Sequence, residues 1–161
     1  LARQKSGMKA TFAVLNISLV ALYAIGSGLW VNTGDGFYRS LKRPFWQPPD
    51  FVFGLAWPYN FLVLIIAGIF IANSSSSFFK YCYTLLFALS VITALLWANS
   101  FYIQNNLLIA SVSLAVTAFL TLPMVIITFQ TKPWVGLILI PYQLWLIIAT
   151  SLSFGYLVLN K

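Results

Sequence analysis

Residues 81–131 form a run of 51 positions without one charged side chain. No single helix uses that many across a hydrocarbon layer about 30 Å thick, since about 20 residues span it. The run must therefore turn back on itself, and Gln104, Asn105 and Asn106 near its middle supply a polar break. This predicts two spanning helices, at about 81–103 and 107–130. Residues 10–34 make a second uncharged run, 25 long. They predict a helix at about 10–29, weakened at its end by Gly26 and Gly28 and followed by a turn-rich exit at 32–36. Helices at about 51–72 and 134–159 complete the set, with breaks at Asn73 to Lys80 and at Lys132-Pro133. The expected fold is an all-α, multi-pass membrane protein. Its single domain, residues 1–161, is a five-transmembrane-helix bundle with a loop lid between helices 1 and 2.

The balance of residue types supports a lipid solvent. Only 7% of the chain is charged and 61% is hydrophobic, against about 25% charged in soluble domains. The net charge of +7 comes from nine basic and two acidic residues. The basic ones sit at segment ends, where they meet lipid headgroups. No basic stripe exists, which argues against nucleic acid as a partner. Cys82 is the one cysteine and there is no histidine. That excludes an intramolecular disulfide, a multi-cysteine metal site and any imidazole ligand or base. No acidic or basic residue falls within a predicted span, which argues against a proton-coupled transporter or an ion pathway. Basic residues divide five to four between the two sides and do not fix the orientation. Leu1 stands where a start would place Met, which reads as a processed or truncated chain or as added residues, and Met8 is a candidate start. The apolar run after them exceeds the 7–15 residues or so of a signal peptide.

Residues 37–59 organise what remains, and hold four of the seven prolines. Tyr38 to Arg43 reads as a short interfacial helix, which Pro44, Pro48 and Pro49 prevent from growing. Asp50 reads as the cap of helix 2. Phe53, Trp57 and Phe61 recur every four residues and share one helical face, as do Tyr142, Trp145 and Ala149 at spacings of three and four. Pro58 and Pro141 are expected to bend their helices. Trp30 and Trp134 sit at segment ends and suit an interfacial belt. Trp57, Trp97 and Trp145 fall inside spans. By spacing alone, they are equally consistent with lining a cavity for a flat apolar ligand and with simple helix packing. Ser90, Ala94 and Ala98 form a small-residue stripe that suits close helix approach, in a homodimer or within one subunit.

The segment from Phe37 to Tyr59 resembles the translocator protein family, also called tryptophan-rich sensory proteins (TspO/MBR). The family's loop runs approximately W-Y-x-x-L-x-[KR]-P-x-W-x-P-P-x-x-x-F-x-x-x-W. Phe37-Tyr38, Leu41, Arg43-Pro44, Trp46, Pro48-Pro49, Phe53 and Trp57 fill it here. Pro141-Tyr142, Trp145, Ala149-Thr150 and Leu159-Asn160 match the last helix, and Leu96-Trp97 the third.

The resemblance implies a five-helix bundle, often a homodimer, with the first loop closing over a pocket for porphyrins. Its pocket would use Tyr38, Pro48, Trp57, Phe61, Ala94, Trp97, Tyr142, Trp145 and Ala149. No cofactor is required; porphyrin or haem is the candidate ligand, and some members bind sterols. In some bacterial members two pocket tryptophans, matching Trp57 and Trp145, support slow light-dependent porphyrin degradation. Ala94, Ser153, Leu157 and Pro58 depart from the family's usual Asn, Asn, aromatic residue and Thr. The sterol-type pattern is reduced to Leu152, Tyr156 and Lys161. The resemblance thus implies a tetrapyrrole-binding sensor or transporter. The alternative is an accessory subunit of a larger, pigment-bearing membrane complex, with the alanine at 94 as its sign.

Overall fold

A segment buried in hydrocarbon must satisfy its own backbone, and a helix does so internally. The computed structural model describes residues 2–161, with side chains from Ser6 onward, and all its regular elements are helices. They are α1 (Ala2–Thr33), α2 (Asp35–Ser40), α3 (Asp50–Ala72), α4 (Ser77–Tyr102), α5 (Leu107–Thr131) and α6 (Pro133–Leu159). Five of them, all but α2, are long and apolar enough to cross a membrane. Their outer faces expose Val14, Leu22, Leu55, Leu85, Phe119 and Ile147, the apolar surface a lipid solvent requires. The protein is a multi-pass integral membrane protein. The expected placement of Arg3 and Lys5 among headgroups lies outside the described side chains.

Local chemistry explains the helix ends. Ser76 caps α4 by accepting the Phe79 N–H at 3.2 Å, and Asn106 caps α5 by accepting that of Ile109 at 3.1 Å. Asn105 makes the turn between α4 and α5 with φ 55°, a left-handed conformation that asparagine tolerates. Pro133 opens α6 at a position where its missing N–H would have no partner.

Four helices differ from expectation at their ends. First, α1 begins at Ala2, well before the expected residue 10, and continues through Gly26 and Gly28 to Thr33. Gly26 serves close packing, not termination: a Cβ there would lie 2.7 Å from Leu95 of α4. Second, the interfacial helix is residues 35–40, earlier than the expected 38–43. It stops before Pro44, with Leu41 already extended. Third, Pro49 takes the cap position of α3, and Asp50 is the first helical residue without a capping bond. Its charge still suits the positive end of the helix. Fourth, α4 begins at Ser77, which brings Lys80 inside the helix and buries it.

The five long helices close a ring: α1 packs on α3 and α4, α4 on α5, α5 on α6, and α6 on α3. Buried polar side chains tie neighbours together. Asn16 of α1 donates to the Gly68 carbonyl of α3 at 3.4 Å and accepts from Thr84 of α4 at 3.2 Å. Gln143 of α6 accepts from Thr121 at 2.6 Å and donates to the Ala118 carbonyl at 2.9 Å, both on α5. Such bonds contribute roughly 0.6–2 kcal/mol each in a membrane. Pro141 removes the N–H that would reach the Leu137 carbonyl, and the Tyr59 hydroxyl of α3 donates to the adjacent Ile138 carbonyl at 2.7 Å.

The stripe of Ser90, Ala94 and Ala98 is wholly buried within this one chain. It packs α4 against its own neighbours, so it cannot be the homodimer contact that its spacing also allowed. An odd number of spans puts the chain ends on opposite sides of the membrane. Tags at the two termini should therefore differ in accessibility in sealed vesicles; labelling of both from one side would contradict five spans.

Candidate functional site

The ring does not fill its own interior at the lid end. A cavity of about 540 Å³ lies there, walled by α1, α3, α4 and α6 and covered by α2 and the loop that follows it. Its floor and one side are aromatic because α3 presents Phe53, Trp57 and Phe61 inward on successive turns. Trp57 is the centre of this cluster. Its ring lies nearly parallel to that of Trp97, at 24° and 6.1 Å between centroids, and to that of Phe61, at 26° and 5.8 Å. Trp145 stands edge-on to it at 6.4 Å and to Phe53 at 5.2 Å. Such aromatic pairs contribute about 0.5–1.5 kcal/mol each beyond area burial. The indole N–H groups of Trp97 and Trp145 are buried without an acceptor in the protein.

The roof is built from the proline-rich loop, and α6 holds it. Asn160, just past the end of α6, exchanges two hydrogen bonds with the Lys42 backbone. Its Oδ1 accepts the Lys42 N–H at 2.8 Å, and its Nδ2 donates to the Lys42 carbonyl at 3.1 Å. The Trp46 indole donates to Ser151 Oγ at 3.3 Å. Gly155 makes this approach possible, because a Cβ there would sit 2.8 Å from both Pro44 and Trp46. Inside the roof the Tyr156 hydroxyl donates to Gln47 Oε1, and Gln47 Nε2 donates to the Tyr38 hydroxyl at 3.0 Å. Arg43 lies 5.5 Å above the Tyr38 ring and 3.4 Å from Asp50. Arg39 pairs with Asp35 at 2.6 Å, which holds its guanidinium proton even more firmly than usual. Both acidic residues of the chain thus face the lid end of the cavity, each beside an arginine.

Of the residues expected at the site, Tyr38, Trp57, Phe61, Trp97, Trp145 and Ala149 line the cavity together. Three do not. Ala94 is fully buried in the core, on the face of α4 that packs against other helices. Tyr142 is in the core as well, clustered with Tyr23 and Tyr83, because the spacing of three from Trp145 turns it away from the opening. Pro48 lines only a shallow recess on the outer side of the loop, with Arg43 and Pro49. Gln47, Phe53, Phe101 and Tyr156 line the cavity and were not foreseen. A signal existed for two of them. Phe53 shares the face of Trp57 by its spacing, and Gln47 is the lone uncharged polar residue between Trp46 and two prolines. In the sequence Tyr156 stands out only as part of a sterol-type pattern. Among the described residues no three His, Cys, Asp or Glu side chains gather as a metal site.

The chain has counterparts among known proteins. The family model described as TspO/MBR matches residues 12–159. The tryptophan-rich sensory protein of Cereibacter sphaeroides is 27% identical over 126 residues, 78% of each chain. The uncharacterized membrane protein YtaB of Bacillus subtilis is 31% identical over 151 residues, 91% of this chain and 96% of its own. Protein CrtK of Rhodobacter capsulatus is 26% identical over 156 residues, 91% and 95% of the two chains.

Removing the Asn160 side chain deletes both bonds that fix the Lys42 backbone, each worth about 1 kcal/mol net. Asn160→Ala should speed hydrogen exchange at the Lys42 amide by about tenfold or more, since each 1.4 kcal/mol is a factor of ten. Unchanged protection there would show that other contacts hold the roof.

Proposed function

The chain belongs to the TspO/MBR family, and from that premise we propose that it is a membrane-embedded binding protein and sensor for porphyrins or related flat, apolar ligands. The observation that carries this reading is the cavity wall around Trp57. An open space of about 540 Å³ falls within the roughly 300–1,000 Å³ typical of ligand pockets. Its walls combine broad aromatic faces with a few polar groups at one end. Where it displaces water from the cavity, a planar macrocycle gains apolar burial at roughly 25 cal/mol per Å². Aromatic stacking adds to this. The polar edge of such a ligand would lie toward Gln47, Tyr38 and the two Asp–Arg pairs. The unpaired indole donors of Trp97 and Trp145 belong to the same wall, and an acceptor on the ligand would relieve them after a small turn of the ring. The relative from Cereibacter sphaeroides carries "sensory" in its name, and a cavity under a fixed roof suits a sensor that must hold its signal molecule.

Slow light-dependent turnover of the bound ring would fall to Trp57 and Trp145, the pair that stands edge to face at the wall. The accessory-subunit reading rested on the alanine at 94. That residue lies outside the cavity lining, so its identity gives no reason to regard the pocket as vestigial.

Trp57→Leu and Trp145→Leu should each weaken protoporphyrin binding by about tenfold or more, from the loss of about 1 kcal/mol of stacking plus the lost burial. Trp134→Leu should leave affinity unchanged. Trp134 is 45% exposed and packs edge-on against Phe70, away from the cavity. Quenching of the remaining tryptophan fluorescence measures all three. Equal affinities, with the fold intact, would contradict the assignment.

A further inference from the structure

The cavity is not closed by protein on every side. Along α3 it is bordered by Asp50, Gly54 and Pro58, one turn apart, and all three are exposed. Facing them on α1 are Ala24, Gly28 and Val31. A Cβ built on Gly28 or on Gly54 meets no atom within 4 Å. The same two helices use glycine in the opposite way further down, where a Cβ on Gly68 would lie 2.6 Å from Asn16. The seam between α1 and α3 is thus tight at Gly68 and open at Gly54. Tyr23 shuts it in between, packed edge-on against Trp57 at 6.0 Å and Phe61 at 5.3 Å. The open part runs from residue 50 to residue 58, eight steps along the helix or about 12 Å at 1.5 Å per step. Its flanks on the outer surface are Ile25, Leu29, Phe51 and Leu55, all exposed and apolar. That surface faces hydrocarbon.

We propose that ligand reaches and leaves the cavity sideways, from the bilayer, through the gap between α1 and α3 at Gly28 and Gly54, while the roof stays shut. This rests on the reading of the cavity as a binding site for a flat apolar ligand. It narrows that class to amphiphiles with a planar body that partitions into hydrocarbon and a polar edge carried along the headgroup end of the slot. The two routes differ in what must break. Passage through the roof disrupts the paired bonds between Lys42 and Asn160, the Trp46–Ser151 bond and the chain from Tyr156 through Gln47 to Tyr38. Passage through the seam breaks none of these and moves an apolar body from one apolar medium to another, with no dehydration step. Glycine at both edges leaves the slot as wide as the helix axes allow.

The test uses full-length protein in lipid nanodiscs, protoporphyrin IX as the probe, and stopped-flow quenching of tryptophan fluorescence. With Cys82→Ser as background, Gly54→Cys and, separately, Gly28→Cys are modified with a benzyl methanethiosulfonate that reductant removes. Each adduct should slow association and dissociation together by about tenfold or more. Kd should stay within about threefold, and reductant should restore the rates. Asn160→Ala, which frees the roof, should change association less than about twofold. Unchanged rates with both adducts would overturn the proposal, and so would a tenfold acceleration in Asn160→Ala. An adduct that raises Kd without altering association would mark these glycines as wall and not doorway, which also overturns it. Absence of saturable quenching in the unmodified protein would instead refute the binding reading on which the proposal stands.

Discussion

Across 118 positions of sequence, the side chain of Asn160 and the backbone of Lys42 exchange two hydrogen bonds. An asparagine amide offers one donor and one acceptor side by side, which matches the N–H and C=O of a single extended residue. Leu41 enters the loop in extended form, and Pro44, Pro48 and Pro49 keep the chain from becoming helical again. The loop is therefore stiff, and one residue at the end of α6 is enough to register it. Gly155, Ser151 and Tyr156 on the same helix then dock Trp46 and Gln47. A stiff cover docked at several points along α6 roofs the space between the aromatic walls without filling it.

The interior beneath the cover follows from the solvent. Hydrocarbon gives helices no hydrophobic reason to associate, so contact must come from close packing and from polar bonds between helices. Both are found away from the cavity, in Asn16 with Gly68 and Thr84, Gln143 with α5 and Thr93 with Thr117, and Ser111 bonds Ser153 at the cavity's edge. Around the cavity the large aromatic rings of Trp57, Trp97 and Trp145 hold one another through their faces and edges. Rings of this size form a rigid wall without filling the ring of helices, whereas the small residues of α4 let that helix close completely on α5.

Much of this was legible in the sequence. Uncharged runs and their polar breaks located five spans, closely except at the start of α1, which lies at Ala2, because the thickness of hydrocarbon and the cost of burying charge leave few alternatives. Tryptophans inside three spans left a cavity wall and simple helix packing equally open by spacing alone, and the family resemblance pointed to the wall. What failed did so for reasons of tertiary context. Gly26 looks like a terminator in isolation, but it is a place where Leu95 comes close. Ala94 and Tyr142 share helical faces with pocket residues. A face is about 100° wide, however, and the edge of it that meets the cavity depends on how each helix is rotated against its neighbours. Gln47 and Tyr156 meet only after the loop has folded over α6, a contact between residues 109 positions apart. The gap at Gly28 and Gly54 was equally hidden, because glycine marks close approach and open space with the same letter.

The central claim is that the space under the roof is a binding site and not merely a packing defect. The most direct measurement is an equilibrium titration of the protein in nanodiscs with protoporphyrin IX, alongside a cavity-filling Ala149→Trp variant. Ala149 lines the cavity on the helix that carries Trp145, so a bulky ring at that position occupies the space itself. The account predicts saturable quenching at one ligand per chain in the parent protein and its loss in Ala149→Trp with the helical content unchanged. Quenching that rises without saturation, or that is the same in both proteins, would mean that the porphyrin only partitions into the lipid and would contradict the account.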